Sequence, residues 1–361
     1  MLIKTTTFFT CRPVRHTVRA LFVLLLFPLL FTACLEDAEE IAAPQGDALP
    51  QQIIQLAPAP AKWVTIQGNE DAGFQEKAKG NNRATRAAGN DRGRFNIDLK
   101  FIVPTTDEQV AVFEAAAARW ERIIIKDVPS FTGTVPSAFT GFPPAIDGTV
   151  DDIVIEVALA PIDGPGGILG QAGPRFVRTS DFLTLSGVMF FDVADLAQLE
   201  ELDLFEEVIV HEMGHVLGVG TLWDLGDRDL RRDEDTNPYF AGRKANVFWN
   251  AEGGTDKLPV ENIGGPGTRL SHWRESVLDN ELMTGFLNLG ENPLSRITAG
   301  SMRDLGYGAA MVGERYDLPK GAPGVDPDGD DDTDTNENPG PGINIAAREI
   351  TLAPIGSVTT Q

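Results

Sequence analysis

The sequence predicts an α+β fold, and two kinds of periodicity within residues 95–218 carry that reading. Phe95-Asn-Ile-Asp-Leu-Lys-Phe-Ile-Val103 alternates apolar and polar residues as a half-buried strand does, whereas Ile153–Ala160 is nearly all apolar, as a strand covered on both faces should be. Thr106-Asp-Glu-Gln109 forms a capping box ahead of a long helix whose inner face carries Val110, Phe113, Ala117, Trp120 and Ile124. Helix formers with an apolar stripe return at Phe205–Val210, and Gly218-Val219-Gly220 supplies the residue type that ends helices.

In chain order, Lys4, Arg12, Arg15 and Arg19 precede the apolar run Ala20–Ala33, which is shorter than the ~20 residues of a comfortable span and fits an export signal over 1–33. Phe31-Thr-Ala-Cys34 resembles a bacterial lipobox, with phenylalanine where leucine is favoured, and makes Cys34 the expected lipidation site. The alternatives are ordinary cleavage nearby or an uncleaved anchor. The expected location is therefore a bacterial outer membrane or cell surface, with secretion as the other outcome. Cys11 falls in the leader, so no disulfide is expected beyond it. Residues 34–90, rich in Ala, Pro, Gln, Gly and Asn, read as a tether.

Gly187-Val-Met-Phe-Phe-Asp192 reads as a further strand. The glycine-rich Gly164–Gly170 lacks a following Lys-Ser/Thr and a helix signal, so it reads as a surface loop and not a phosphate site. Formal charge is −23 for the whole chain and more negative once the cationic leader is removed, which argues against a nucleic-acid partner. Asp326–Glu337 places acids at positions 1, 3, 5, 7, 9 and 12 of a calcium-loop count, but Asp331 stands where the turn needs glycine and no helix pattern flanks it. A solvated acidic tail over 317–361 is favoured over Ca²⁺ binding.

The chemistry is concentrated in histidine. Of four in the chain, His211, His215 and His272 lie beyond the leader, and two of them form His211-Glu212-Met213-Gly214-His215. On a helix, side chains at i and i+4 share a face, so both imidazoles can reach one ion while Glu212 points at the open coordination position. The sequence then runs on through Gly218 to Thr221, where an HExxHxxGxxH pattern would have its third histidine, and the next histidine is His272, after residues 219–271. Ser271-His-Trp273 is followed by Asn280-Glu-Leu-Met-Thr-Gly285, by Pro293-Leu-Ser-Arg-Ile-Thr298 and by Asp304-Leu-Gly-Tyr307.

This ordered set, spread over most of residues 95–310, resembles the leishmanolysin group of metzincins, in particular its bacterial members. The resemblance implies a metzincin-like zincin: a twisted mixed sheet with the active-site helix above an irregular C-terminal subdomain, divided here as 91–220 and 221–316. It implies a zinc endopeptidase with His211, His215 and His272 as ligands, Glu212 as general base, Gly218 as the helix-ending turn and Met283 in a Met-turn beneath the ligands. It also implies that the strand at Gly187–Asp192 lies at the sheet edge and pairs with an extended peptide substrate. Met283 is equally well explained as a plain core methionine. Asp224, just past Gly218, is a rival third ligand, since related zincins use an aspartate in that neighbourhood. The tyrosine that some metzincins place just after the Met-turn has no counterpart among Tyr239, Tyr307 and Tyr316. Segment 219–271, with Trp223, Tyr239, Phe248 and Trp249, is expected to pack as irregular structure over one side of the cleft.

Three neutral nitrogen ligands leave Zn²⁺ a position for water and lower that water's pKa to about 7, and Glu212 can accept the proton as water attacks a peptide carbonyl. The competing class is a zinc-fold binding or adhesion module without turnover. Intact Glu212 argues against it, because a non-catalytic site has no use for a general base.

Overall fold

The computed structural model describes residues 53–69, 83–84, 94–265, 267–327 and 342–360. The leader, Cys34 and most of the acidic run 326–337 lie outside the described residues. The N-terminal strands are β1 (Val64–Gly68), β2 (Arg83–Ala84), β3 (Ile97–Phe101), β4 (Phe131–Val135), β5 (Ile146–Val150), β6 (Ile153–Ala160), β7 (Gly170–Arg178) and β8 (Thr184–Asp192). Three helices accompany them, α1 (Asp107–Ile123), α2 (Val193–Glu201) and α3 (Phe205–Leu217). The remainder holds β9 (Arg231–Arg232), β10 (Tyr239–Phe240), α4 (Arg243–Glu252), β11 (Leu258–Pro259), α5 (Glu275–Leu278), β12 (Leu287–Asn288) and α6 (Arg296–Leu305), and then β13 (Gly342–Ile343), β14 (Glu349–Thr351) and β15 (Gly356–Thr360).

The main sheet is mixed, in the order β1-β15-β7-β8-β6-β3-β2, with β14 also paired to β7. Strands β3, β6 and β8 run parallel to one another, and β7 is antiparallel to β8. Strand β6 explains its own composition. Ile153, Ile155, Val157 and Leu159 face the core shared with α1 and α3, while Val154, Ala158 and Ala160 face smaller apolar clusters on the opposite side. Both faces are covered, so alternation gives way to a continuous apolar run.

Helix α1 begins with the capping box, Thr106 accepting from Gln109 N while the Gln109 side chain accepts from Thr106 N. Phe113 on its inner face meets Phe101, Phe191 and Phe205 edge-on at centroid distances of 5.5, 5.8 and 6.1 Å, contacts worth about 0.5–1.5 kcal/mol each beyond their buried area. Those rings join α1 to the sheet and to α3. Helix α3 is buried on every side from Val208 to Leu217, as befits a helix threaded between a sheet and another helix. Trp120 of α1 donates its indole N–H to the Val210 carbonyl at 2.8 Å, which fixes α3 one residue before His211.

Several expectations are corrected here. The strand carrying Gly187–Asp192 is β8, which lies between β7 and β6 and is therefore not at an edge. The strand that borders the cleft is β7, whose Gly-Gln-Ala-Gly-Pro-Arg sequence carries little strand signal. The tether expected over 34–90 contains β1, paired in parallel with β15 from Val64↔Gly356 to Gly68↔Thr360. The tail expected over 317–361 is not merely solvated, because residues 342–360 return to the sheet as β14 and β15. Acidity dominates the first part of that tail and hides the short apolar runs of its last part. Segment 219–271 holds a three-stranded antiparallel sheet, β11-β10-β9, and helix α4 packed on α6, in place of purely irregular structure.

Candidate metal centre

Helix α3 sets two imidazoles one turn apart and then stops. Gly218 takes φ 121°, a left-handed conformation that glycine adopts without a Cβ penalty, and the Val219 amide turns back to the Gly214 carbonyl at 2.9 Å. The chain leaves through Gly220, where a Cβ would lie 2.3 Å from the Ser271 carbonyl oxygen, so the segment returning after the long excursion lies directly against it. That contact delivers His272 to the end of α3. Thr221, at the position due for a third histidine, instead donates its hydroxyl to the His215 carbonyl at 2.6 Å.

The three Nε2 atoms converge, with separations of 3.0 Å between His211 and His215 and 3.1 Å from each to His272. Each ring is aimed by its other nitrogen. Nδ1 of His211 donates to the Leu282 carbonyl at 2.7 Å, that of His215 to Val219 at 2.9 Å and that of His272 to Thr268 at 3.0 Å. With the proton fixed on Nδ1, every Nε2 presents a lone pair to the same point. A fourth group completes the ring, for Glu349 Oε1 lies 2.8 Å from His272 Nε2 and Oε2 lies 3.3 Å from His211 Nε2. All four side chains are fully buried.

Such a set of inward-facing acceptors repels itself unless a cation sits among them, and its chemistry, three imidazoles and a carboxylate, suits zinc. The electrostatics agree. Burial pushes His215 down to about 3, so it stays neutral as a ligand must. Burial also opposes a charge on Glu349, but the three histidines outweigh it and hold its carboxyl well below the usual range. Burial opposes protonation of His272 too, and the adjacent Glu349 overcomes that and raises it. A proton shared by His272 and Glu349 would leave the 3.0 Å contact between His211 and His215 without a donor, so a proton competes with a cation here without replacing it.

Glu212 points into the same space. It is completely buried, neither carboxylate oxygen has a hydrogen-bond partner, and its pKa is raised well above the ordinary value by burial and by the facing Glu349. Met283 lies under α3, where a Cβ on Gly214 would fall 2.6 Å from its sulfur. Beside it, Glu281 is a buried hub, accepting from Met283 N at 2.7 Å, Ser295 Oγ at 2.7 Å and Thr298 Oγ1 at 2.6 Å. Thr298 in turn accepts from the Trp273 indole at 2.8 Å, which locks the residue after His272 to α6.

A family model described as leishmanolysin matches residues 124–314, more than half of the 361-residue chain. The chain belongs to the leishmanolysin family of peptidases. Leishmanolysins are zinc-dependent metallopeptidases, and the cluster of His211, His215, His272 and Glu349 could hold such a metal. A mixed sheet with six helices among the described residues is compatible with that family.

The leishmanolysin match spans His211, Glu212, His215, His272 and Met283 and ends before Glu349. Asp224 stands apart from the cluster, paired to Arg231 at 2.6 Å and partly exposed. Glu281 was visible in the sequence beside Met283 but carried no sign of its hub role. Glu349 escaped sequence reasoning altogether. Its one signal is the switch from acidic residues to the more apolar Gly342-Ile-Asn-Ile-Ala-Ala-Arg-Glu-Ile-Thr-Leu352, which marks a stretch able to pair as strand.

Proposed function

We propose that this chain is a zinc-dependent endopeptidase in which His211, His215 and His272 hold the metal and Glu212 moves the proton. One observation carries the reading: three lone-pair nitrogens meet at a buried point beside a glutamate whose two oxygens have no partner in the protein. When bound, the metal would polarise the scissile carbonyl and acidify the attacking water. Glu212 accepts that water's proton on a carboxylate oxygen and returns it to the departing amine nitrogen. Burial raises its proton affinity, which suits a base that must both take and give a proton. The indole of Trp120, Met283 and the Leu282 carbonyl hold α3 and His211 in place, so the site is set before a substrate arrives.

Glu212→Gln keeps the shape and removes the base. Zinc content should equal that of the parent while hydrolysis of an unstructured peptide falls by about 10² or more. Unchanged turnover would assign the proton to another group. No turnover in any zinc-loaded form would favour a binding module.

We further propose that the chain is exported and lipidated at Cys34. The apolar run before that cysteine and the acidic residues Glu36, Asp37, Glu39 and Glu40 after it support the reading. Among the described residues no helix is long and apolar enough to cross a membrane, so attachment would rest on the lipid. Mass spectrometry of the mature N-terminus decides it, because an unmodified chain beginning elsewhere would refute lipidation and leave the peptidase reading intact.

A further inference from the structure

Resting on the metal reading above, we infer that Glu349 is a fourth protein ligand and that segment 342–360 is a built-in occupant of the substrate cleft, so that the folded chain is latent. A peptidase of this design needs two things free: a coordination position and a strand edge that can take an extended peptide. Both are filled by the chain's own C-terminal segment.

The segment is bonded to both banks of the cleft. On the bank that carries His272 and Met283, β13 pairs antiparallel with β12, the Ala346 amide donates to Gly285 O at 3.1 Å and Thr268 Oγ1 donates to Ala346 O at 2.9 Å. Thr268 is also the residue whose carbonyl aims His272. On the opposite bank, Leu169 N donates to Arg348 O at 2.6 Å, Glu349–Thr351 pairs with Gly170–Ala172 of β7, and Leu352 N donates to Ala172 O at 2.7 Å. Strand β15 continues along the same edge opposite Phe176–Arg178. The free edge of β7 is thus consumed over most of its length, and Glu349 is the side chain that this pairing drops onto the histidines.

Two further features fit the segment to this place. Arg348 forms an ion pair with buried Asp195 at 2.6 Å, immediately beside the ligand position. Gly173 lies where a Cβ would come 2.1 Å from the Leu352 carbonyl oxygen, so β7 lacks a side chain at the point where the segment crosses it. Glu349 and Glu212 face each other with the space between them closed to solvent, and a carboxylate in that place holds the position that the attacking water requires.

The test uses the full chain loaded with Co²⁺, whose visible absorption reports ligand changes, together with acetohydroxamate, a small chelating probe for an open position. In the parent the spectrum should be insensitive to the probe. In Glu349→Ala it should shift, zinc should pass to a competing chelator at least about tenfold faster, and peptide hydrolysis should rise at least tenfold over the parent. Gly173→Val replaces no ligand residue but pushes the segment carrying Glu349 off β7, so it should also admit the probe, and it serves if Glu349→Ala does not fold. A parent spectrum that shifts with the probe overturns the inference, and this measurement needs no variant at all. If the probe enters only the variants but neither they nor the parent cleave peptide, the masking role stands and the peptidase reading falls. If the parent cleaves peptide and admits the probe, the peptidase reading stands and the masking role falls.

Discussion

Gly214 and Met283 approach so closely that α3 has no room for a side chain at position 214, just before its second zinc-facing histidine. An ideal Cβ on Gly214 would lie 2.6 Å from Met283 Sδ and 2.9 Å from Trp120 Cζ2. Glycine is a poor helix former, and its presence one residue before His215 follows from this contact rather than from the helix. Gly214→Ala tests the balance. Helix propensity favours alanine by about 1 kcal/mol, whereas overpacking costs about 1–3 kcal/mol, so the variant should be net destabilised. Because Met283 follows Leu282, whose carbonyl aims His211, zinc release should also quicken. A higher Tm with unchanged zinc retention would show that the methionine yields freely.

Glu281 gives a second prediction. Its Oε1 takes three donors, the amide and hydroxyl of Ser295 and the hydroxyl of Thr298, while Oε2 takes the amide of Met283. Glutamine can match one oxygen but turns an N–H₂ group toward the other donor or donors. Glu281→Gln therefore leaves a buried donor unpaired and should cost about 1–3 kcal/mol in urea unfolding. Wild-type stability would mean that water or a turn of the amide satisfies the hub.

The contrast between these residues explains what the sequence could tell. His211, Glu212 and His215 share a helix, so their spacing encodes their geometry, and the capping box at Thr106 and the buried strand β6 are equally local. His272 is non-local, and its assignment relied on the order of motifs after it. Glu349 is further away still, brought in by β7, whose glycines and proline conceal a strand, and by a segment preceded by acidic residues. The misplacement of β8 at the edge has the same origin. Sequence periodicity shows that a strand is buried but not which strand flanks it, and here the flanking strand comes from the far end of the chain.

Stability should depend on pH through Glu275. Burial pushes its carboxyl up to about 8, with Asp279 and Glu261 adding to the rise against a hydrogen bond from Thr284. An unfolded glutamate titrates near 4.3, so between about pH 4 and pH 8 the folded protein binds a proton that the unfolded chain has lost. The stabilising contribution is fully present below pH 4 and disappears as pH rises through 8. Glu275→Gln removes the ionisable group, and its Tm should fall less than the parent's between pH 5 and 8.5. Parallel curves for the two proteins would show that the carboxyl is ionised in the folded state throughout.

The ligand set itself separates His272 from Asp224. His272 is held from three sides: its Nδ1 by Thr268 O at 3.0 Å, its backbone carbonyl by Glu261 N at 2.9 Å, and the next residue by the bond from Trp273 N to Met283 O at 3.0 Å. That is the support expected of a side chain that must keep its position within a fraction of an ångström. Asp224 instead forms a partly exposed pair with Arg231, an interaction worth about 0–1 kcal/mol. His272→Ala, left with His211, His215 and Glu349, should therefore lose zinc to a chelator much faster than the parent and lose hydrolysis with it, while Asp224→Ala should retain stoichiometric zinc and lose little stability. Metal analysis of the two purified variants after dialysis against a chelator is sufficient. Zinc kept by His272→Ala and lost by Asp224→Ala would reverse the assignment, and it would require the segment carrying Asp224 to swing away from Arg231 toward the end of α3.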